Sequence, residues 1–325
     1  MAESSTPDWL LEAFEGAPKG SFEGVCPDVD SPLIASRFQI LEPTGTGGQK
    51  QAWLARDLLG RRNVVLSKIP RGPGGRLPES AERELRIQRL LGPHSHVVEV
   101  QEGLETEDAV FLVSPHLPGG DLATRLASAP ERRLPIDRVL AIAYDLALAL
   151  AHTHGREVVH GDVSPGNVLL DADERACLSD FGLARRVSDP GMKELRGTPG
   201  YLAPETIRGE TSGFASDLYA FGCVIFETLA GRSPFVSDCV PDLLRRHQLA
   251  RPPDLRKLRP DTPRLLATLV HALMAKDPAR RPESAVDVVG ALWGMKSSWS
   301  AFAQSNLDPD EPRALIGREA EQALL

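Results

Sequence analysis

Little in this sequence commits it to the cell exterior, to a membrane or to nucleic acid. Of its 325 residues only four are cysteine: Cys26, Cys177, Cys223 and Cys239. They lack the paired spacing of a zinc site and are too few to staple so long a chain, which excludes a disulfide framework and favours a reducing compartment. Cys177 and Cys223 fall inside apolar runs, where buried thiols are at home. No secretory leader opens the sequence. The longest apolar stretch, Val139 to Ala151, is interrupted by Asp145 and is too short to cross a bilayer. A cytoplasmic chain without a membrane span is expected.

Basic blocks are also missing. Arg61-Arg62 and Arg185-Arg186 are only pairs, the net charge is -8, and such a balance argues against a nucleic-acid surface. The basic residues are expected on solvated faces. What is present, 42% hydrophobic and 25% charged residues, is ordinary for a soluble protein with a large core. The length leaves room for two lobes and tails.

The most informative stretch begins at His160 and reads His-Gly-Asp-Val-Ser-Pro-Gly-Asn-Val-Leu-Leu, with Ser-Asp-Phe-Gly following from Ser179. Two short loops joined by a hairpin would gather Asp162, Asn167 and Asp180 around one point. One general base and two hard oxygen ligands suit phosphoryl transfer, which needs an aligned hydroxyl and a divalent metal and little covalent chemistry from the protein. Further on comes Gly197-Thr198-Pro199-Gly200-Tyr201-Leu202-Ala203-Pro204-Glu205. In this order the three segments resemble the catalytic loop, the metal-binding Asp-Phe-Gly and the Ala-Pro-Glu segment of protein kinases. The chain is similar to bacterial-type serine/threonine protein kinases from about Phe38 to about Leu292.

The resemblance implies an α+β, two-lobed protein-kinase fold: a small lobe with a five-stranded antiparallel sheet and one helix, and a larger helical lobe. The divisions expected are a flexible extension over residues 1–36, the small lobe over 37–114, a hinge over 115–121, the large lobe over 122–295 and a linker over 296–312. In the extension, Trp9, Leu10, Ala13 and Phe14 recur at helical spacing. Residues 313–325, with Leu315-Ile316-Gly317-Arg318-Glu319, resemble the opening of the ATPase domain of large signal-transduction proteins. They imply an ATPase or sensor domain as a neighbour in a longer protein.

ATP and Mg2+ are the implied cofactors, and a Ser/Thr-bearing protein is the implied substrate. Strands are expected over Phe38 to Leu41, Gln51 to Ala55, Asn63 to Ile69, Val97 to Glu102 and Val110 to Ser114. Between the first two lies Gly45-Thr46-Gly47-Gly48-Gln49-Lys50, similar to the glycine-rich loop that covers ATP phosphates. Thr44, Gly45, Gly47, Gly48 and Ala52 are expected against the nucleotide, although Lys50 stands where the family has a third glycine and Ala52 where it has valine. Val65-Leu66-Ser67-Lys68 resembles the family's Val-Ala-Ile-Lys. Lys68 is expected to hold the α and β phosphates, with Leu66 above the adenine. A helix from Pro78 to Leu91 would supply its partner carboxylate, Glu84, with Glu82 as the fallback. Ser114 is expected as gatekeeper, Pro115 and Leu117 as hinge contacts to adenine, and Leu169 as a further nucleotide contact.

The roles implied for the large lobe follow position by position. Asp162 takes or orients the proton of the substrate hydroxyl, Asn167 and Asp180 bind magnesium, and Thr198 hydrogen-bonds Asp162. Ser164 stands where Ser/Thr kinases place a lysine against the transferring phosphate. Gly161 replaces the arginine that clamps a phosphorylated activation segment, so activity independent of that phosphorylation is expected. His160 is expected to pack beneath the loop. Glu205 is expected to pair with Arg281, and Asp217 to hold the catalytic-loop backbone. Two other functions remain open: a nucleotide-binding pseudokinase scaffold, and a small-molecule phosphotransferase, whose loop also reads His-Gly-Asp.

Overall fold

The computed structural model describes residues 33–45, 51–72, 75–106, 108–189 and 196–305. The helical spacing from Trp9 to Phe14, Gly47, Gly48 and Lys50 of the glycine-rich loop, and the segment 313–325 lie outside the described residues.

The small lobe is built on one antiparallel sheet of six strands in the order β1-β2-β3-β4-β6-β5. They are β1 (Leu33–Ile34), β2 (Phe38–Gly45), β3 (Gln51–Asp57), β4 (Arg62–Pro70), β5 (Glu102–Glu105) and β6 (Ala109–Pro115). The sheet therefore has one strand more than expected, and residues 33–36 belong to it rather than to a lead-in. Ala35 (φ 54) and Ser36 (φ 50) turn β1 back onto β2 with two left-handed residues. The register pairs Ile34 with Phe38, so the loop is three residues, Ala35 to Arg37, with the Arg37 N–H donating to the Ile34 carbonyl at 3.1 Å and without the Asn-Gly or Gly-Gly that would announce a turn. The strand expected over Val97 to Glu102 is also displaced. Val97 makes only isolated bridges to His94 and Leu178, and β5 starts at Glu102.

Each face of the sheet has its own apolar cluster. Phe38, Ala55, Val64, Leu66, Leu104, Phe111 and Val113 pack on one side. Ile69, Val110 and Leu112 pack on the other with Leu77, Ala81 and Leu85. Ala81 and Leu85 belong to helix α1 (Glu79–Leu91), whose buried stripe is Ala81, Glu84, Leu85, Ile87 and Leu91. Acidic Glu79 and Glu82 in its first turn and Arg89 in its last complement the helix dipole. Arg37 closes the outer end of the lobe. It pairs with Asp57 at 2.8 Å and Glu102 at 2.8 Å, joining the β2 edge to β3 and β5.

Beyond Pro115 the chain makes β7 (Gly120–Asp121) and α2 (Leu122–Ser128), with Asp121 as its cap through Thr124 N–H at 2.8 Å. The large lobe is organised on α3 (Ile136–Gly155) and α5 (Phe214–Ala230), both apolar nearly all round and hence buried, with α4 (Pro204–Ile207) between them. Then follow α6 (Val240–Leu249), α7 (Leu255–Leu258), α8 (Arg264–Leu273) and α9 (Ala285–Ser305). Gly222 lets α5 and α8 approach closely, since a Cβ there would lie 2.7 Å from the Cβ of Leu273. The last helix runs to Ser305, so the linker expected from residue 296 is helical over its first ten residues. Among the described residues no helix is long and apolar enough to cross a membrane.

Candidate active site

Two small sheets of the large lobe bring the polar residues together. Strand β9 (Val168–Leu170) pairs with β7 on one side and β10 (Ala176–Leu178) on the other. The register Val168↔Leu178 places Asn167 opposite Ser179, with Asp180 next along the chain. Ser179 fastens this end of the hairpin: its N–H and Oγ both donate to the Asn167 carbonyl, at 2.9 and 3.0 Å. Strand β8 (Val158–Val159) pairs with β11 (Arg185–Arg186) and delivers His160 to Asp162 at the same place. Arg185 is buried in doing so, against the expectation of a solvated face, and donates to the Ser212 carbonyl.

Asp162 is held by three donors. Its Oδ1 accepts from the Thr198 N–H and from Thr198 Oγ1, each at 2.8 Å, and its Oδ2 accepts from Asn167 Nδ2 at 3.1 Å. Asn167 Nδ2 also donates to the Asp162 carbonyl at 2.8 Å. With its nitrogen committed to Asp162, the side chain of Asn167 has its carbonyl oxygen available for a cation. Asp180, exposed and in the left-handed region at φ 57, accepts from Gly182 N–H at 3.3 Å. These oxygens fit Mg2+, which takes one or two protein oxygens and completes its shell with phosphate and water.

The ring of His160 is fully engaged. Nδ1 accepts from Asp162 N–H at 3.2 Å, and Nε2 donates to the Ser179 carbonyl at 3.0 Å. It stands edge-on to buried Phe181, so it is a packing residue with a fixed tautomer, as its place beneath the loop implied. Asp217 lies beneath and accepts from His160 N–H at 2.8 Å, Gly161 N–H at 2.9 Å and His154 Nε2 at 3.0 Å. Burial pushes its carboxyl up, but His154, His160 and the Gly161 N–H outweigh burial and hold it below the usual range. Glu205 and Arg281 form a buried two-pronged pair at 2.6 and 2.7 Å, with Ser216 Oγ adding a hydrogen bond of 2.8 Å. Ser164, at the position where the family places a lysine, is buried, 5% exposed.

The sheet above the cleft corrects two further expectations. Paired strand residues share a face, and neighbours along a strand alternate. Lys68 pairs with Phe111 and Leu66 with Val113, and both partners belong to the cluster on the far side from α1. Leu66 is itself 0% exposed in that cluster and cannot lie over adenine. Lys68 shares its face and cannot reach Glu84 on α1 through the sheet. The side chains turned toward α1 and the cleft are Val65, paired with Ser114, and Ser67, paired with Ala52 and Leu112. Ala52 and Ser114 thus lie on the expected side, and Glu84 is buried on α1. Thr44 is exposed on β2 beside Gly45, and the hinge residues Pro115 and Leu117 are half-buried. Leu169 points out of the core between buried Val168 and Leu170. The sequence alone assigned no role to Ser67, Val65, Ser179 or His154. For β4 no contrast existed to find them, because Val64, Val65 and Leu66 are all apolar.

Comparison with known proteins agrees with this geometry. The protein kinase domain matches residues 38–293. The chain belongs to the protein kinase family. It is 36% identical over 285 residues to the DNA damage-responsive serine/threonine-protein kinase RqkA of Deinococcus radiodurans, covering 84% of this chain and 42% of that protein. It is 34% identical over 287 residues to the serine/threonine-protein kinase pkn2 of Myxococcus xanthus, covering 84% of this chain and 34% of the relative. To PknD of Mycobacterium tuberculosis it is 33% identical over 308 residues, or 90% of this chain and 45% of that one. The chain therefore spans less than half the length of these curated relatives.

Proposed function

We propose that the chain is an ATP-dependent protein kinase that transfers the γ-phosphate to Ser or Thr hydroxyls, in cytoplasmic signalling. The observation that carries this reading is the Asp162 carboxylate held from both sides by Thr198 and Asn167. A carboxylate so fixed is positioned to accept a hydroxyl proton without reorganising, which is where such an enzyme gains its rate. Thr198 ties the segment before Ala-Pro-Glu to that base, so the surface that docks a peptide and the base that acts on it move together. The Asn167 carbonyl oxygen and the Asp180 carboxylate would hold Mg2+, which neutralises phosphate charge when bound. Ala52, Val65, Ser114, Pro115, Leu117 and Leu169 would enclose the adenine end of ATP.

Activity independent of activation-segment phosphorylation belongs to the same reading. Gly161 offers no cation, and its φ of 80, with the Leu183 carbonyl 3.2 Å from where a Cβ would stand, disfavours a side chain there. Thr198 reaches Asp162 with no phosphate involved. A protein treated with phosphatase is expected to keep its rate.

The test of the whole reading is incubation with labelled ATP and Mg2+, wild type beside Asp162→Asn, followed by mapping of the labelled residues. Label on Ser or Thr in the wild type alone supports it. A second reading, a nucleotide-binding scaffold, is favoured by the absence of a lysine on the cleft face of β4. Nucleotide binding without any transfer would support that one instead.

A further inference from the structure

The face that the sheet turns to the cleft can be read row by row from its register. Nearest the hinge, Leu54, Val65 and Ser114 stand side by side. The next row is Ala52, Ser67 and Leu112. Beyond it Ile69 and Val110 pack on Ala81 and Leu85 of α1. On these rows β4 and β6 carry no charge, and the charged neighbours are carboxylates: Glu42, paired with Leu54, and Glu105, paired with Val110. Lys68 is anchored by the same ladder on the opposite face, level with Phe111. A mid-strand side chain cannot change faces unless the register slips, and a slip of β4 by one residue would turn Val64 and Leu66 out of their cluster and bury the wrong set.

Resting on the kinase reading above, we propose that Ser67 is the β4 residue that touches the nucleotide, and that Lys68 takes no part in holding its phosphates. Ser67 lies one row further from the hinge than Val65 and Ser114, and the chain beyond the hinge enters the adenine end of the cleft. The Ser67 hydroxyl is therefore placed toward the phosphate end of a nucleotide and donates to a phosphate oxygen. The ligand class is a nucleoside triphosphate bound with a divalent cation, and β4 gives it a neutral hydroxyl in place of an ion pair. Because no cation on β4 grips the phosphates, affinity depends on the metal more steeply than it would with a strand lysine.

The experiment places a cysteine at each position, Ser67→Cys and Lys68→Cys, and follows alkylation by a small maleimide with and without Mg-ATP, read by mass spectrometry of the modified peptide. Ser67→Cys is expected to be protected at least fivefold by Mg-ATP, and Lys68→Cys to react at the same rate with or without it. Protection of Lys68→Cys, with none at Ser67→Cys, would overturn the proposal. A kinetic arm uses Lys68→Met, expected to keep kcat and the KM for ATP within twofold, whereas a hundredfold loss would count against the assignment. Both arms start from wild type shown by thermal shift to bind Mg-ATP. Failure of that shift would refute the kinase reading itself, a result distinct from misplacing the strand contact.

Discussion

Thr198 donates twice to a single oxygen of Asp162, from its backbone N–H and from its hydroxyl, both at 2.8 Å. The two residues are 36 positions apart, and nothing but the fold brings the carboxylate to the threonine. One of these bonds depends on the side chain and one does not, so they can be separated by mutation.

Thr198→Val removes the hydroxyl bond and keeps the N–H bond. Hydrogen bonds to a charged group are worth about 1.5–3 kcal/mol, so kcat is expected to fall about ten- to a hundredfold, with the KM for ATP little changed. Thr198→Ser is expected to retain most of the rate. Steady-state kinetics on a peptide substrate checks both, and equal losses in the two variants would mean that the hydroxyl is irrelevant.

Gly197 has φ 112, and a Cβ there would lie 3.2 Å from the Gly161 carbonyl and 3.5 Å from Asp162 Oδ1. Gly197→Ala is expected to lose at least tenfold in kcat while the protein still melts cooperatively, because the strain falls on the base itself. Unchanged turnover would show that the loop relaxes freely.

Arg281→Met leaves Glu205 buried without its cation. Removing one partner of such a pair typically costs about 3–5 kcal/mol, and for a domain of this size that corresponds to a melting point lower by roughly 6–20 °C. Differential scanning calorimetry measures it. Loss of less than about 1 kcal/mol would mean that the pair adds nothing beyond packing.

His247 is buried beside Lys276 and Tyr219, with Tyr219 Oη 3.0 Å from its Nδ1. Burial, then the Lys276 charge, pushes the imidazole down to about 4. The unfolded chain takes up this proton near pH 6.5 and the folded chain only near 4, so between those values the unfolded state binds more protons. Stability is expected to fall on acidification through that window, with a slope approaching about 1.4 kcal/mol per pH unit from this group. Urea denaturation from pH 7 to 4 reads the slope, and His247→Gln should flatten it.

Between residues 33 and 121 the sequence holds two lysines, Lys50 and Lys68. With Lys68 turned to the outer face, Lys50, which lies outside the described residues, is the lysine left in that stretch. Lys50→Met is expected to raise the KM for ATP at least tenfold. An unchanged KM would leave the phosphate charge to the metal alone.

Much of the site was legible as sequence because it is local. His160 to Asp180 is a loop and a hairpin, and their short spans confine Asp162, Asn167 and Asp180 to one neighbourhood whatever surrounds them. Glu205 and Arg281 were legible through the motifs that contain them. The sixth strand was hidden because Ala35 and Ser36 carry no turn signature. On β4, the Val-Val-Leu run gives no alternation of polar and apolar residues, so the position of a lysine could stand in for its direction.

The order of motifs in the chain by itself determined the family, the two lobes and the polar residues of the catalytic loop, since these depend on residue type and short spacing. Which way a side chain on β4 faces was decided only in three dimensions. A strand has two sides, and it is the pairing with β6 and the apolar clusters on each side that turn Ser67 to the cleft and Lys68 away from it.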